Sequence, residues 1–118
     1  MISNQILQST IEGIKNISRV ELCVTDVEGK VLVTTFPEVE ISQNDIVTFA
    51  QSQADSQTMK NYQFFKVYDE HQLEYILIAN GGSEDVYMVG KIAAFQIQNL
   101  LVAYKERFDK DNFIKNLL

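Results

Sequence analysis

Leu73-Glu74-Tyr75-Ile76-Leu77-Ile78-Ala79 is apolar on both of its alternating faces. Successive side chains of a strand point to opposite sides, so a half-solvated strand alternates apolar with polar; this stretch predicts a strand covered on both sides and central in its sheet. Just upstream, Gln63 to Tyr68 is equally dense in aromatic and β-branched residues. Asp69-Glu70-His71-Gln72 separates the two runs, which predicts an antiparallel hairpin.

Working outward, Val20 to Thr25 and Lys30 to Thr35 have the same β-forming character, and Asp26-Val27-Glu28-Gly29 lies between them. Asp braces such a turn through its side chain and Gly takes the left-handed conformation that closes it, so a second hairpin is expected with its register set by Gly29. From Ser3 to Lys15, Ile6, Leu7, Thr10, Ile11 and Ile14 recur at helical spacing, the mark of a helix with one buried face. Pro37 ends the second strand region. Ser42-Gln43-Asn44-Asp45 before Ile46, Val47, Phe49 and Ala50 reads as a capped helix start, running to about Gln53. After Asn80-Gly81-Gly82, Ser83 is a good N-cap, and a long last helix follows to at least Phe108, interrupted only by Gly90.

The order α-β-β-α-β-β-α implies an α/β (α+β) domain: an antiparallel sheet with flanking helices, PAS-, GAF-, roadblock- or profilin-like in shape. A chain of 118 residues, 46% hydrophobic, has material for one core. Its apolar runs are short against the roughly twenty residues of a membrane span, and Met1 to Gln5 lacks the basic and apolar regions of a secretory signal. The expectation is a cytoplasmic protein with no membrane contact. A net charge of −6, with Lys and Arg scattered, excludes direct nucleic-acid contact by this segment.

The last helix carries two apolar stripes. Val86, Gly90, Ala93, Ile97, Leu100 and Tyr104 form one, with small residues where a helix can lie close on a sheet. Met88, Ile92, Phe95, Asn99 and Val102 form the other at a different angle. Two arrangements fit: a homodimer in which a second copy covers the second stripe, with Asn99 fixing the register, or a helix sandwiched between its own sheet and the first helix.

Residues that would carry chemistry are sparse. The one histidine, His71, falls in a hairpin turn with no Cys or second His to complete a metal site, and the one cysteine, Cys23, sits at a strand position. No nucleophile elbow, phosphate loop or cofactor fingerprint occurs, so no enzyme, metal or cofactor is expected. Gly81-Gly82-Ser83 reads as a turn plus cap, since Glu84 and Asp85 would repel an anion there. Tyr62, Phe64, Phe65, Tyr68 and Tyr75 either line a small-molecule pocket, with Lys66 supplying charge, or simply form core.

Tyr87-Met88-Val89-Gly90-Lys91-Ile92, Phe95-Gln96-Ile97-Gln98-Asn99-Leu100 and Ala103-Tyr104-Lys105-Glu106-Arg107-Phe108-Asp109-Lys110-Asp111-Asn112-Phe113 resemble the sensor-to-linker region of CdaR/PucR-type regulators, the sugar-diacid and purine-catabolism family. The resemblance follows the element order along the whole chain and is specific over the last third. It implies a sensor domain over residues 1–103 and, over 104–118, the start of a linker helix to a central domain and a helix-turn-helix. It further implies a homodimer and a small-molecule effector, carboxylate or sugar-derived. A carboxylate needs a buried cation, for which Lys66, Lys91 and Arg19 are the candidates, beside Tyr62, Phe64, Tyr68 and Tyr75. Pro37 to Ala54 departs from the diacid-binding pattern in having neither Gly nor His.

Overall fold

The computed structural model describes residues 2–81 and 84–117, with side chains as far as Lys105. The first helix, α1 (Asn4–Ser18), starts where Ser3 Oγ accepts the Ile6 N–H at 3.3 Å. It runs one turn past Lys15 and stops at Arg19, whose φ of 62° leaves the helix while its N–H still reaches the Lys15 carbonyl. Leu7 and Ile11 are its fully buried pair.

Strands β1 (Glu21–Thr25) and β2 (Val31–Thr34) form the expected hairpin. Asp26 Oδ1 accepts the N–H groups of Glu28 and Lys30, both at 2.9 Å, and Gly29 takes φ +85°. A side chain at Gly29 would be strained and would also collide with Gln43, whose Nε2 donates to the Glu28 carbonyl at 2.8 Å. The turn is thus seated on the start of α2 (Gln43–Gln51), which Ser42 caps by accepting the Asp45 N–H.

Next comes β3 (Ser56–Met59), one strand more than the sequence pattern indicates, so the order is α-β-β-α-β-β-β-α. Ser56-Gln57-Thr58-Met59 holds a single β-branched residue and, as an edge strand, has only one neighbour to satisfy. Strands β4 (Tyr62–Asp69) and β5 (Gln72–Asn80) follow, and the sheet order is β2-β1-β5-β4-β3 with every pairing antiparallel. The stretch that reads as central is central: β5 is the middle strand, and Tyr75 to Ala79 are all buried.

Alternation then sorts the core into two layers. Leu22, Val24, Phe65, Val67, Tyr75, Leu77 and Ala79 face α1 and the last helix, α3 (Val86–Leu117). Cys23, Phe64, Ile76 and Ile78 face α2, where Ile46 and Phe49 meet them. Phe64 and Phe65, adjacent in sequence, serve opposite layers. With 32 residues α3 is about 48 Å long, while nine-residue β5 spans roughly 30 Å, so the helix outruns the sheet it lies on. Ser83, the expected N-cap of this helix, lies outside the described residues, as do the side chains beyond Lys105.

Candidate functional site

On α3 one face is spent on the domain's own core. Val86, Gly90, Ala93, Ile97 and Leu101 are buried, with Leu100 and Tyr104 half-buried beside them. Four-residue steps from Ala93 bring Leu101, rather than Leu100, into the centre of that contact. The other face is bare: Met88 is 59% exposed, Ile92 55%, Phe95 64% and Val102 49%, and Asn99 among them is exposed too. In the described structure α1 and α3 share one side of the sheet and α1 does not cover this face. Covering four half-exposed side chains of this kind would contribute roughly 3–6 kcal/mol per chain before the costs of association.

The residues expected to bind an effector are distributed over several places. Tyr62, Phe64 and Lys66 share the α2 side of β4. Tyr62 stacks on Phe36 at 5.8 Å between ring centroids, and Phe64 meets Phe49 edge-on at 5.5 Å. The Lys66 ammonium lies 5.3 Å over the Phe49 ring and donates to the Ser52 carbonyl at the C-terminal end of α2. Tyr68 donates to Asp55 Oδ1 at 3.3 Å; burial and the Asp55 carboxylate hold its hydroxyl above the usual phenol range. Tyr75 is on the opposite layer, where its hydroxyl accepts the Ile2 N–H and burial likewise raises its pKa. Lys91 is exposed on α3, 5.6 Å over the Tyr87 ring, and Arg19 caps α1. Among the described residues these groups are divided between the two faces of the sheet and the surfaces of α1 and α3. The opening beside Tyr62, Phe64 and α2 is about 10 Å³, room for one water at most.

A wider concavity, about 730 Å³, opens at the other end of the sheet, between the β3–β4 turn, the end of β5 and the first turn of α3. Thr58, Lys60, Asn61, Gln63, Glu84 and Tyr87 are among the residues that line it. The Tyr87 hydroxyl is held below the ordinary phenol range by its hydrogen bond with Ser56 and by nearby Lys91. Nothing in the sequence pattern marks this corner, because it depends on β3. Once Thr58 is placed on a strand opposite Gln63, the polar residues around the turn fall on one surface.

Among the described residues no group of three or more His, Cys, Asp or Glu side chains is placed to share a metal ion. His71 is exposed in the β4–β5 turn, and Cys23 is buried in β1. No protein-family model matches this chain, and no curated protein matches its sequence. Among the described residues one helical segment, Val86–Lys105, is long and apolar enough by composition to cross a membrane, with a mean hydropathy of 1.3. The average comes from the two stripes together, and the buried one already packs on the domain's own sheet.

Proposed function

We propose that this chain is a cytoplasmic, homodimerising regulatory domain whose α3 pairs with α3 of a second copy and carries signals along the helix. The observation that supports this is the bare face of α3. Its members follow one another at steps of four, three, four and three residues, the repeat of a two-stranded coiled coil. In that repeat Met88, Phe95 and Val102 take one core position, and Ile92 and Asn99 the other. A lone Asn at the second of these fixes register and favours two strands. The resemblance of residues 87–113 to CdaR/PucR-type regulators supplies the wider setting: an effector-sensing N-terminal domain, with DNA contact made by a helix-turn-helix elsewhere. A ligand that favours one pairing of α3 over another would shift the population of paired states.

Light scattering across a range of concentrations tests the pairing. A dimer is expected, and Phe95→Glu, which puts a charge in the seam, is expected to split it while leaving helicity and cooperative unfolding intact, with a lower melting temperature that no longer depends on concentration. A monomer at every concentration would overturn the proposal.

The small space beside Tyr62 and Phe64, about 10 Å³, favours a second reading, a roadblock-like dimerisation scaffold that binds no small molecule. A thermal-shift screen with dicarboxylates, purines and sugars separates the two, since a ligand that binds only the folded state must raise the melting temperature.

A further inference from the structure

We infer that the second copy docks with its α3 parallel and in register, Asn99 against Asn99, and that the pair is a two-stranded parallel coiled coil. This rests on the dimer proposed above and fixes its direction, which the spacing of the seam alone does not decide.

Heptad position divides α3 in two. With Ile92 and Asn99 at a, and Met88, Phe95 and Val102 at d, the other letters follow along the chain. From Gly90 to Lys105 every b, c and f residue is buried or half-buried, and every a, d, e and g residue is exposed. The whole arc that a coiled coil uses, seam and flanks together, is therefore uncovered by the rest of the domain, and the residues it does not use are the ones held by the sheet.

Direction follows from Asn99. In a parallel pair each core layer joins identical positions, so two carboxamides meet, and each both donates and accepts. In an antiparallel pair a residues pack against d residues, and the d residues of this seam, Met88, Phe95 and Val102, are all apolar. Asn99 would then be covered without a partner, at the cost of an unmet polar group. Ile92, β-branched at a, also suits the two-stranded parallel form. The flanks agree. In a parallel pair g of one helix faces e of the next heptad on the other, which sets Lys91 beside Gln96 and Gln98 beside Ala103, with no like charges opposed.

The first helix gives an independent reason. It lies beside α3 on the same side of the sheet. A two-fold axis along the paired helices carries α1 of the second copy to the opposite flank, leaving both outer faces of α1 in water. An axis across the helices would stack α1 on α1, and the outer residues Gln5, Ser9, Glu12 and Asn16 are exposed and polar. Desolvating them would cost free energy that the parallel arrangement does not spend. The parallel pair also gives a signal its direction: a displacement that starts at one end of both helices passes the core layers in the same order in each.

The test is disulfide trapping in the full chain, with Cys23→Ala as background so that an introduced thiol is the only one. Met88→Cys and Val102→Cys stand near the two ends of the seam, about 21 Å apart along the helix. A parallel pair sets each against its own counterpart, whereas an antiparallel pair centred on Phe95 leaves each about 21 Å from it, well beyond the roughly 7 Å between Cα atoms that a disulfide can bridge. Expected in a glutathione redox buffer are covalent dimers of both variants, with cross-linking reduced at least tenfold when Phe95→Glu is added. If one variant does not fold, the other carries the comparison. A dimer by light scattering in which neither thiol cross-links would overturn the parallel pairing and leave the dimer standing. Cross-linking at only one of two folded variants would mean that the helices cross instead of running together, and cross-linking unchanged by Phe95→Glu would place the contact outside the seam; either overturns the inference. A monomer at every concentration removes the dimer and its direction together.

Discussion

The ring of Phe65 lies against Gly90, so close that a Cβ at Gly90 would stand 2.4 Å from Cε2 and 2.9 Å from Cζ, with the Ala79 methyl at 3.2 Å. Mid-helix glycine costs about 1 kcal/mol relative to alanine. Here the missing side chain lets α3 approach β4 and β5, and that approach sets the roll of the helix that turns Met88, Ile92 and Phe95 outward.

Gly90→Ala is therefore expected to destabilise the domain by about 1–2 kcal/mol, because overpacking of a filled layer outweighs the gain in helix propensity. Urea unfolding, with the slope checked for constancy, reads this directly. A variant as stable as the parent would mean that α3 can lift from the sheet without loss.

Asn99 is the test of the seam. Asn99→Leu replaces a polar group in an apolar stripe, and burying the added apolar surface should tighten the dimer about tenfold, equivalent to ~1.4 kcal/mol. It should also release the register, so that sedimentation shows species beyond the dimer. An unchanged dimer would place Asn99 outside the interface, and a weaker one would mean that its carboxamide stabilises the pairing instead of costing affinity.

The fold was legible where periodicity and turn chemistry agree. The β5 stretch announces its central place by being apolar on both faces, and Asp26 and Gly29 announce their hairpin because only certain residues make that turn. β3 was not legible: an exposed edge strand needs neither an apolar face nor β-branched residues, so Ser56-Gln57-Thr58-Met59 looks like a loop. The bare face of α3 could be seen in advance because its spacing repeats within one helix. The proposed effector residues could not be sorted in the same way. Whether Lys66 faces a ligand or the end of α2 depends on where α2 stops, and Tyr75 parts from Tyr62 and Phe64 only once strand faces are assigned.

Cys23 is buried in β1, and burial pushes its thiol up to about 11 from the usual 9.0. Native protein should resist alkylation at neutral pH, with reactivity appearing only as the chain unfolds. The linkage has a sign. Between pH 9.0 and about 11 the thiol ionises in the unfolded chain but not in the folded one, so stability present below pH 9.0 is lost as pH rises. Wild type should lose more stability than Cys23→Ala across that window. Equal losses, or rapid alkylation of the folded chain, would show that β1 opens readily to solvent.

Two hairpin turns carry their own strain. Lys60, in the β3–β4 turn, has φ 57°, and Glu70, in the β4–β5 turn, has φ 58°. For residues with a Cβ, the left-handed region costs about 1–2 kcal/mol. Glu70 has a compensating contact: its Oε1 lies 2.5 Å from the Lys105 ammonium, which holds the carboxyl below its ordinary range. Lys60→Gly is expected to stabilise the domain by about 0.5–1 kcal/mol, the relief of backbone strain outweighing the greater freedom of glycine in the unfolded chain. Lys60→Ala should change little, because alanine keeps the Cβ that causes the strain. Glu70→Gly should gain less than Lys60→Gly, since it also removes the partner of Lys105. Thermal unfolding of the three variants checks the ordering. A loss of stability in Lys60→Gly, or equal effects of Gly and Ala at that position, would mean that the lysine side chain, and not the turn's backbone, decides the energy there.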